Sequence, residues 1–305
     1  MLKEEKIEET TSININQKFI LYKNKLLGKG GFGKIFIGEY IENHYPLAIK
    51  IESTKTKSHL ENEYKIMTLL QNPNFFPRPY KLIKTEDYNY LIMDLLGKSL
   101  DNLFINNENK FLIPLICSLA YQMIKRLEFI HKKGIIHRDI KLDNFLIGTG
   151  NKKHIIYLID FGLAKKFLDS KNNHISYKEG KGLTGTARYV SLFTHQGIEQ
   201  SRRDDIESLA YNLIYMGKKN LPWQKIKSKN KQEKHKKILN KKLEYTPEIL
   251  CKGLPEEFEI LLKYARELEF TEEPDYYSIQ MMFKNLMECY GMSLDDKFFW
   301  EDEEK

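Results

Sequence analysis

The sequence predicts an α+β fold in two lobes, and three observations carry that expectation. The first third alternates apolar and polar residues in short runs, the remainder repeats apolar residues at helical spacing, and the change falls near Asp94–Gly97. A chain of 305 residues is also long for one core and suits two of ordinary size. In order, "KFILYKNKLLG", "KIFIGEYI" and "YPLAIKIES" read as strands of an antiparallel sheet separated by turn residues. "SHLENEYKIMTLLQ" repeats Leu60, Tyr64, Met67 and Leu70 as one amphipathic helix, and "DYNYLIMDLLG" is a further strand ending at Gly97. "LIPLICSLAYQMIKRLEFIHKKG" is a long helix stopped by a cationic last turn and a glycine. "DDIESLAYNLIYM", "PEEFEILLKYARELEF" and "DYYSIQMMFKNLMECY" are helices of the second lobe. Residues 1–16 are expected to form a flexible extension, 17–96 the strand-rich lobe, 97–300 the helical lobe and 301–305 a short acidic tail.

The composition, 41% hydrophobic and 30% charged, is that of a globular chain. No stretch approaches the ~20 apolar residues that a spanning helix needs, so membrane insertion is not expected. The first residues lack the apolar core of a secretory signal. Cys117, Cys251 and Cys289 are odd in number and far apart, and read as reduced, buried thiols of a cytoplasmic or nuclear protein. The net charge of +7 is local: Lys225–Lys242 holds nine lysines and one glutamate, +8, which leaves −1 for the rest. Such a patch favours anionic partners. It lacks arginine and interleaved aromatics, so no specific nucleic acid is expected, and for most of these lysines a solvated surface is an equally good reading.

"HRDIKLDN" (137–144) packs an imidazole, a guanidinium, an ammonium, two carboxylates and a carboxamide into eight positions. Most charge clusters of this length are solvated loops. Three other stretches supply what a phosphoryl-transfer centre needs. "GKGGFGK" lies between two predicted strands rather than between strand and helix, and its Gly28, Gly30 and Gly33 let backbone amides approach phosphate oxygens. Lys50 ends "LAIK", and the following helix offers Glu63, with Glu61 as a second candidate, to pair with it; a lysine so held neutralises phosphate charge. Asp160 in "LIDFG" sits in an apolar context that calls for a cation, and Asn144 adds a second hard oxygen for a divalent metal. Each motif alone is weak. In this order, they make Asp139 the candidate base, Lys141 the neutraliser of the transferring phosphoryl group, and Asn144 and Asp160 the metal ligands.

These motifs resemble those of eukaryotic protein kinases, and of the casein kinase I family in particular. The specific resemblance rests on "LIMDLLGKSLDNLF", "IDFGLAKKF", "LTGTARYVSLFTHQGIEQSRRDDIESLAY", "LPWQ" and "LCKGLPEEF", and covers residues 17–300. It implies a bilobal kinase fold and a monomeric, constitutively active serine/threonine kinase using ATP and Mg2+. On that resemblance, Gly28, Gly30 and Gly33 close over the phosphates, Lys50 pairs with Glu63, and Ala48, the gatekeeper Met93 and the hinge residues Asp94, Leu95 and Leu96 surround the adenine. Asp205 supports the catalytic loop. The resemblance further implies acidic or phosphate-primed protein substrates, gripped by Arg188 with Lys227, Lys231 and Lys234. Gly31, Leu142, Leu192, Phe193 and Ala210 depart from the family's usual residues, and Phe193 is expected to reshape the substrate groove. The acidic end is expected to dock weakly on the basic patch. A pseudokinase scaffold and a small-molecule phosphotransferase are the competing readings. The first would bind ATP without turnover, and the second would have no use for the segment around Arg188.

Overall fold

A computed structural model describes residues 11–30, 33–55 and 58–302, and the chain divides into two compact units, Met1–Leu96 and Gly97–Lys305. The α+β architecture read from the sequence is the one observed.

The first unit is a six-stranded antiparallel sheet of β1 (Ser12–Ile15), β2 (Phe19–Lys29), β3 (Lys34–Tyr40), β4 (Tyr45–Ser53), β5 (Pro79–Lys84) and β6 (Tyr88–Asp94), in the order β1-β2-β3-β4-β6-β5, with helix α1 (Leu60–Leu70) between β4 and β5. Alternation along β4 sorts its side chains. Leu47 and Ile49 join Ile15, Phe19, Leu21, Tyr90 and Ile92 in one buried cluster. Ala48 and Lys50 point the other way, where Met93 and Leu91 are their partners on β6. Two expectations are corrected. Ser12–Ile15, assigned to a flexible extension, pairs with β2, and Ile15 is 3% exposed; one apolar residue under the sheet anchors the strand. The edge strand β5 went unread because it opens on a proline, which only an edge or a strand start tolerates.

In the second unit come α2 (Leu100–Asn106), α3 (Ile113–Lys132), the short strands β7 (Ile135–Ile136), β8 (Phe145–Ile147), β9 (Ile156–Leu158) and β10 (Lys165–Lys166), and then α4 (Leu192–His195), α5 (Arg202–Lys218), α6 (Lys231–Glu244), α7 (Pro247–Cys251), α8 (Glu256–Glu267) and α9 (Tyr276–Cys289). α5 is buried on almost every face from Arg203 to Met216, as a helix at the centre of a core must be. It starts at a capping box of Ser201 and Asp204 and packs on α3 and α8. Cys117 and Cys251 are buried, and burial lifts both thiols to about 12; Cys289, expected to be buried, is exposed because it ends α9. No helix among the described residues is long and apolar enough to cross a membrane.

The described end of the chain does not contact the basic segment. Trp300 is 2% exposed, stacks near Phe111 and Phe298, and donates its indole N–H to Lys153 O at 3.1 Å. Glu301 and Asp302 meet Lys153 and Lys297. Residues 303–305 of the acidic end expected to dock on the basic patch lie outside the described residues. Trp300→Ala should cost about 3–5 kcal/mol of stability, measured by denaturant unfolding. A loss below roughly 0.5 kcal/mol would mean that the indole contributes no more than a surface residue.

Candidate active site

In the first unit, Lys50 on β4 donates to Glu63 Oε2 on α1 at 2.7 Å, with the residues 6% and 1% exposed. Helical phase chooses between the two glutamates. Glu63 lies on the stripe of Leu60, Met67 and Leu70 that faces the sheet, whereas Glu61 is exposed and pairs with Lys65 and Lys84. Removing one partner of such a buried pair costs about 3–5 kcal/mol, so the pair also fixes α1 on the sheet. Cross-strand register puts Ala48 and Met93 directly opposite each other on the Lys50 face. Asp94 faces the other way: its carboxylate accepts from Arg78 N at 2.7 Å and Tyr80 OH at 2.8 Å, which turns the side chain away from the Lys50 face. Leu96, half-buried, ends the unit.

The glycine hairpin runs from Gly28, opposite Ile35, through a bond from Gly30 N to Gly33 O at 2.9 Å. A side chain at Gly33 would meet Ile51 O at 2.2 Å, so packing alone forbids one there. At Gly28 and Gly30 nothing among the described residues lies closer than 4.0 Å to a side chain's first carbon. Packing does not require glycine at those two positions, as expected where space is kept for something else. Gly31 lies outside the described residues.

In the second unit, Asp139 is 9% exposed and its carboxylate is fully engaged. Oδ2 accepts from Lys141 Nζ at 2.6 Å, and Oδ1 accepts from Thr186 N at 2.9 Å and Thr186 Oγ1 at 2.7 Å. Burial alone would lower the Lys141 ammonium, but Asp139, Asp143 and Asp160 together raise it, so it stays charged. Asp139 N donates to His137 Nδ1 at 3.3 Å, which makes Nε2–H the tautomer that reaches Ile159 O at 3.0 Å. His137 thereby ties Asp139 to the residue preceding Asp160.

Asn144 and Asp160 come together by register. β8 and β9 pair Phe145 with Leu158, Ile159 N donates to Asn144 O at 2.9 Å, and the two candidate ligands flank the same end of this hairpin. Asn144 Nδ2 donates to Asp139 O at 2.9 Å, so the amide presents its oxygen for ligation. Asp160 has φ 65 and ψ 70, the left-handed region, and Arg138 has φ 71. For non-glycine residues this conformation costs roughly 1–2 kcal/mol and persists only where the surroundings impose it.

At Arg138 those surroundings come from α5. Asp205, fully buried, accepts from His137 N at 2.7 Å, Arg138 N at 2.9 Å and His131 Nε2 at 2.9 Å. Burial raises this carboxyl, but the bond and charge of His131 outweigh burial and hold it below the ordinary aspartate range. Asn212, two turns on, accepts from Leu142 N and donates to Ile140 O, both at 3.0 Å. One rigid helix thus clamps both ends of the charged loop.

The sequence matches the family model described as protein kinase domain over residues 21–287. The chain belongs to the protein kinase family. Protein kinases transfer a phosphoryl group from ATP to proteins with the help of Mg2+. The donor set of this kinase fits such an ion: Asn144 and Asp160 supply two hard oxygens, too few for a closed protein cage and suited to a cation completed by phosphate oxygens and water. Among the described residues no group of three His, Cys, Asp or Glu side chains offers an alternative centre.

The kinase's remaining predicted residues are less tightly gathered. Arg188 is half-buried, its guanidinium over the rings of Tyr189 and Tyr215 at 5.5 Å and 5.8 Å. Lys227, Lys231 and Lys234 are exposed, the latter two at the start of α6, which packs on α4. Phe193 stacks under Arg203, 3.5 Å from its guanidinium, so this departure is taken up by packing. The sequence reading missed Thr186, Asn212 and Glu199. Glu199, 6% exposed, pairs with Lys165 at 3.0 Å and Lys181 at 3.3 Å and so joins two stretches of the segment between Asp160 and α5.

Proposed function

We propose that this protein is a serine/threonine kinase of casein kinase I type that transfers the γ-phosphoryl group of ATP to acidic or phosphate-primed protein substrates. The observation that carries the reading is the pair of hydrogen bonds that Thr186 donates to Asp139 Oδ1: the turn bearing Arg188 is anchored on the residue that would take the acceptor proton.

In this mechanism Lys50, oriented by Glu63, pairs with the α- and β-phosphates under the hairpin of Gly28, Gly30 and Gly33. Ala48, Met93 and the backbone of Asp94–Leu96 receive the base. Asn144 and Asp160 would hold Mg2+, which would supply positive charge to the transferring phosphates. Asp139 orients the acceptor hydroxyl and accepts its proton, and Lys141 compensates charge building on the phosphoryl oxygens. Glu199, paired within the fold, supplies the negative charge that holds the segment together, which supports activity without prior modification of that segment. Arg188 grips a priming phosphate bidentately, and Lys227, Lys231 and Lys234 add point charge.

The reading is tested with a peptide array of primed, acidic and neutral peptides. Lys234→Ala should raise KM for a primed peptide at least about threefold more than for its unprimed counterpart, with kcat unchanged. Equal effects on both peptides would remove the anion site from the proposal. ATP binding without turnover on any peptide would replace the kinase by a scaffold.

A further inference from the structure

Ile238 and Lys242 are one helical turn apart on the inner face of α6, and both are buried, Lys242 completely. A buried ammonium needs compensation. No carboxylate of the described residues lies within ion-pair distance of it, and two main-chain carbonyls serve instead: Lys242 Nζ donates to Val190 O at 2.5 Å and to Ala187 O at 3.3 Å. The rings of Tyr211 and Trp223 cover it at 4.5 Å and 5.2 Å. Trp223 Nε1 holds the intervening Arg188 O at 2.8 Å, and His195 Nε2 shares Ala187 O at 3.2 Å. The turn itself closes with Tyr189 N and Val190 N on Thr186 O. Thr186–Val190 is therefore bound to Asp139 at one end and to Lys242 at the other.

We propose that Lys242 is a positioning residue for the acceptor peptide, its ammonium fixing the Thr186–Val190 turn beside Asp139. The inference rests on the reading of Asp139 as the base and of this turn as the surface that meets the acceptor. It separates Lys242 from the solvated lysines of the same segment and gives it a role independent of any priming phosphate.

The hold depends on charge, since a charged donor bonds a carbonyl about twice as strongly as a neutral amine. Burial lowers Lys242 to about 7 against the pull of Glu207, with Arg266 adding to the lowering. The other groups facing it are Tyr211 on α5, raised well above its ordinary value, His195 on α4, lowered to about 3 by burial, and His235 on α6, lowered by burial. Tyr211 and His195 neither gain nor lose charge between pH 6.5 and 8.5. Asp204, bonded to Ser191 beside Val190, does: burial lifts it to about 7. Its ionisation on raising the pH strengthens the bonds it accepts from Ser191 and Ser201, opposite in sign to the loss of the Lys242 charge. The stability term of Lys242 also has a sign of its own. Because its folded value lies below the unfolded one, the unfolded chain binds the extra proton above pH 7, and this group's contribution to stability rises with pH while its hold on the turn weakens.

The test uses the full chain and an unprimed acidic peptide, so that no phosphate titrates. For the wild type, peptide KM should rise at least about fivefold from pH 6.5 to 8.5, with KM for ATP changing less than twofold. Lys242→Met, which keeps the volume, should show peptide KM raised about tenfold at pH 6.5, kcat within about threefold of the wild type and no further rise with pH. A peptide KM that is flat over this range both in the wild type and in Asp204→Asn, which removes the opposing titration, overturns the inference. So does a folded Met variant with the wild-type KM at pH 6.5. Failure of the underlying reading looks different: Asp139→Asn would then keep turning over, whatever Lys242 does.

Discussion

Asp160→Asn should abolish phosphoryl transfer, lowering kcat at least a thousandfold, while the thermal midpoint moves by no more than about 2 °C. The substitution preserves shape and removes one negative charge from the pair that would hold the metal. Asparagine tolerates the left-handed backbone at φ 65 nearly as well as aspartate, so the local fold has no reason to change. Asn144 stays tied to Asp139 O and Ile159 N, and two neutral amide oxygens are then left to bind a divalent ion against the neighbouring Lys141 ammonium. The checks are steady-state turnover with Mg2+ titrated to high concentration, and calorimetry on the same sample. Turnover that survives, or that falls only in parallel with the melting temperature, would remove Asp160 from the metal site.

Asp139→Asn should lower kcat by about 10²–10⁴ and leave KM for ATP within about threefold. Here the reasoning runs through geometry as well as proton affinity. Aspartate offers one oxygen to Lys141 and the other to the two donors of Thr186. The amide has one acceptor, so satisfying Thr186 turns its NH2 towards Lys141, donor against donor. The variant therefore loses both the base and the ion pair that steadies Lys141. Single-turnover measurements with saturating ATP separate this chemical loss from any change in peptide binding. A variant with near wild-type single-turnover rate would assign the proton to another group.

Much of this site was legible in the sequence because its residues belong to short stretches that each carry their own local structure. Asp139, Lys141 and Asn144 lie within six positions, Lys50 lies within a strand whose pattern is plain, and Asp160 follows closely on another. Even the choice between Glu61 and Glu63 was present in helical phase, since Glu63 continues the stripe of Leu60, Met67 and Leu70. What stayed hidden is what distant segments contribute. Thr186 meets Asp139 across 47 positions, and Asn212 meets Leu142 across 70; no periodicity announces such pairs. Lys242 reads like its eight neighbouring lysines until its i, i+4 relation to Ile238 is noticed. The direction of the Asp94 side chain depends on β5, which the sequence reading did not find. Ser12–Ile15 failed for a related reason: four residues with a single buried side chain give too little pattern to distinguish a strand from an extension.

Arg138 and Asp160 share a conformation that glycine would adopt without penalty; Arg138 adjoins Asp139, and Asp160 adjoins Ile159, which is bonded to His137 and Asn144. An engineer selecting this protein for heat resistance alone would be drawn to relax them, and at Asp160 the replacement that eases the backbone also deletes the oxygen proposed to hold the metal. Durability and turnover thus compete at that position, whereas at Arg138 the helix that holds the bend, rather than the bent residue, is where robustness can be added.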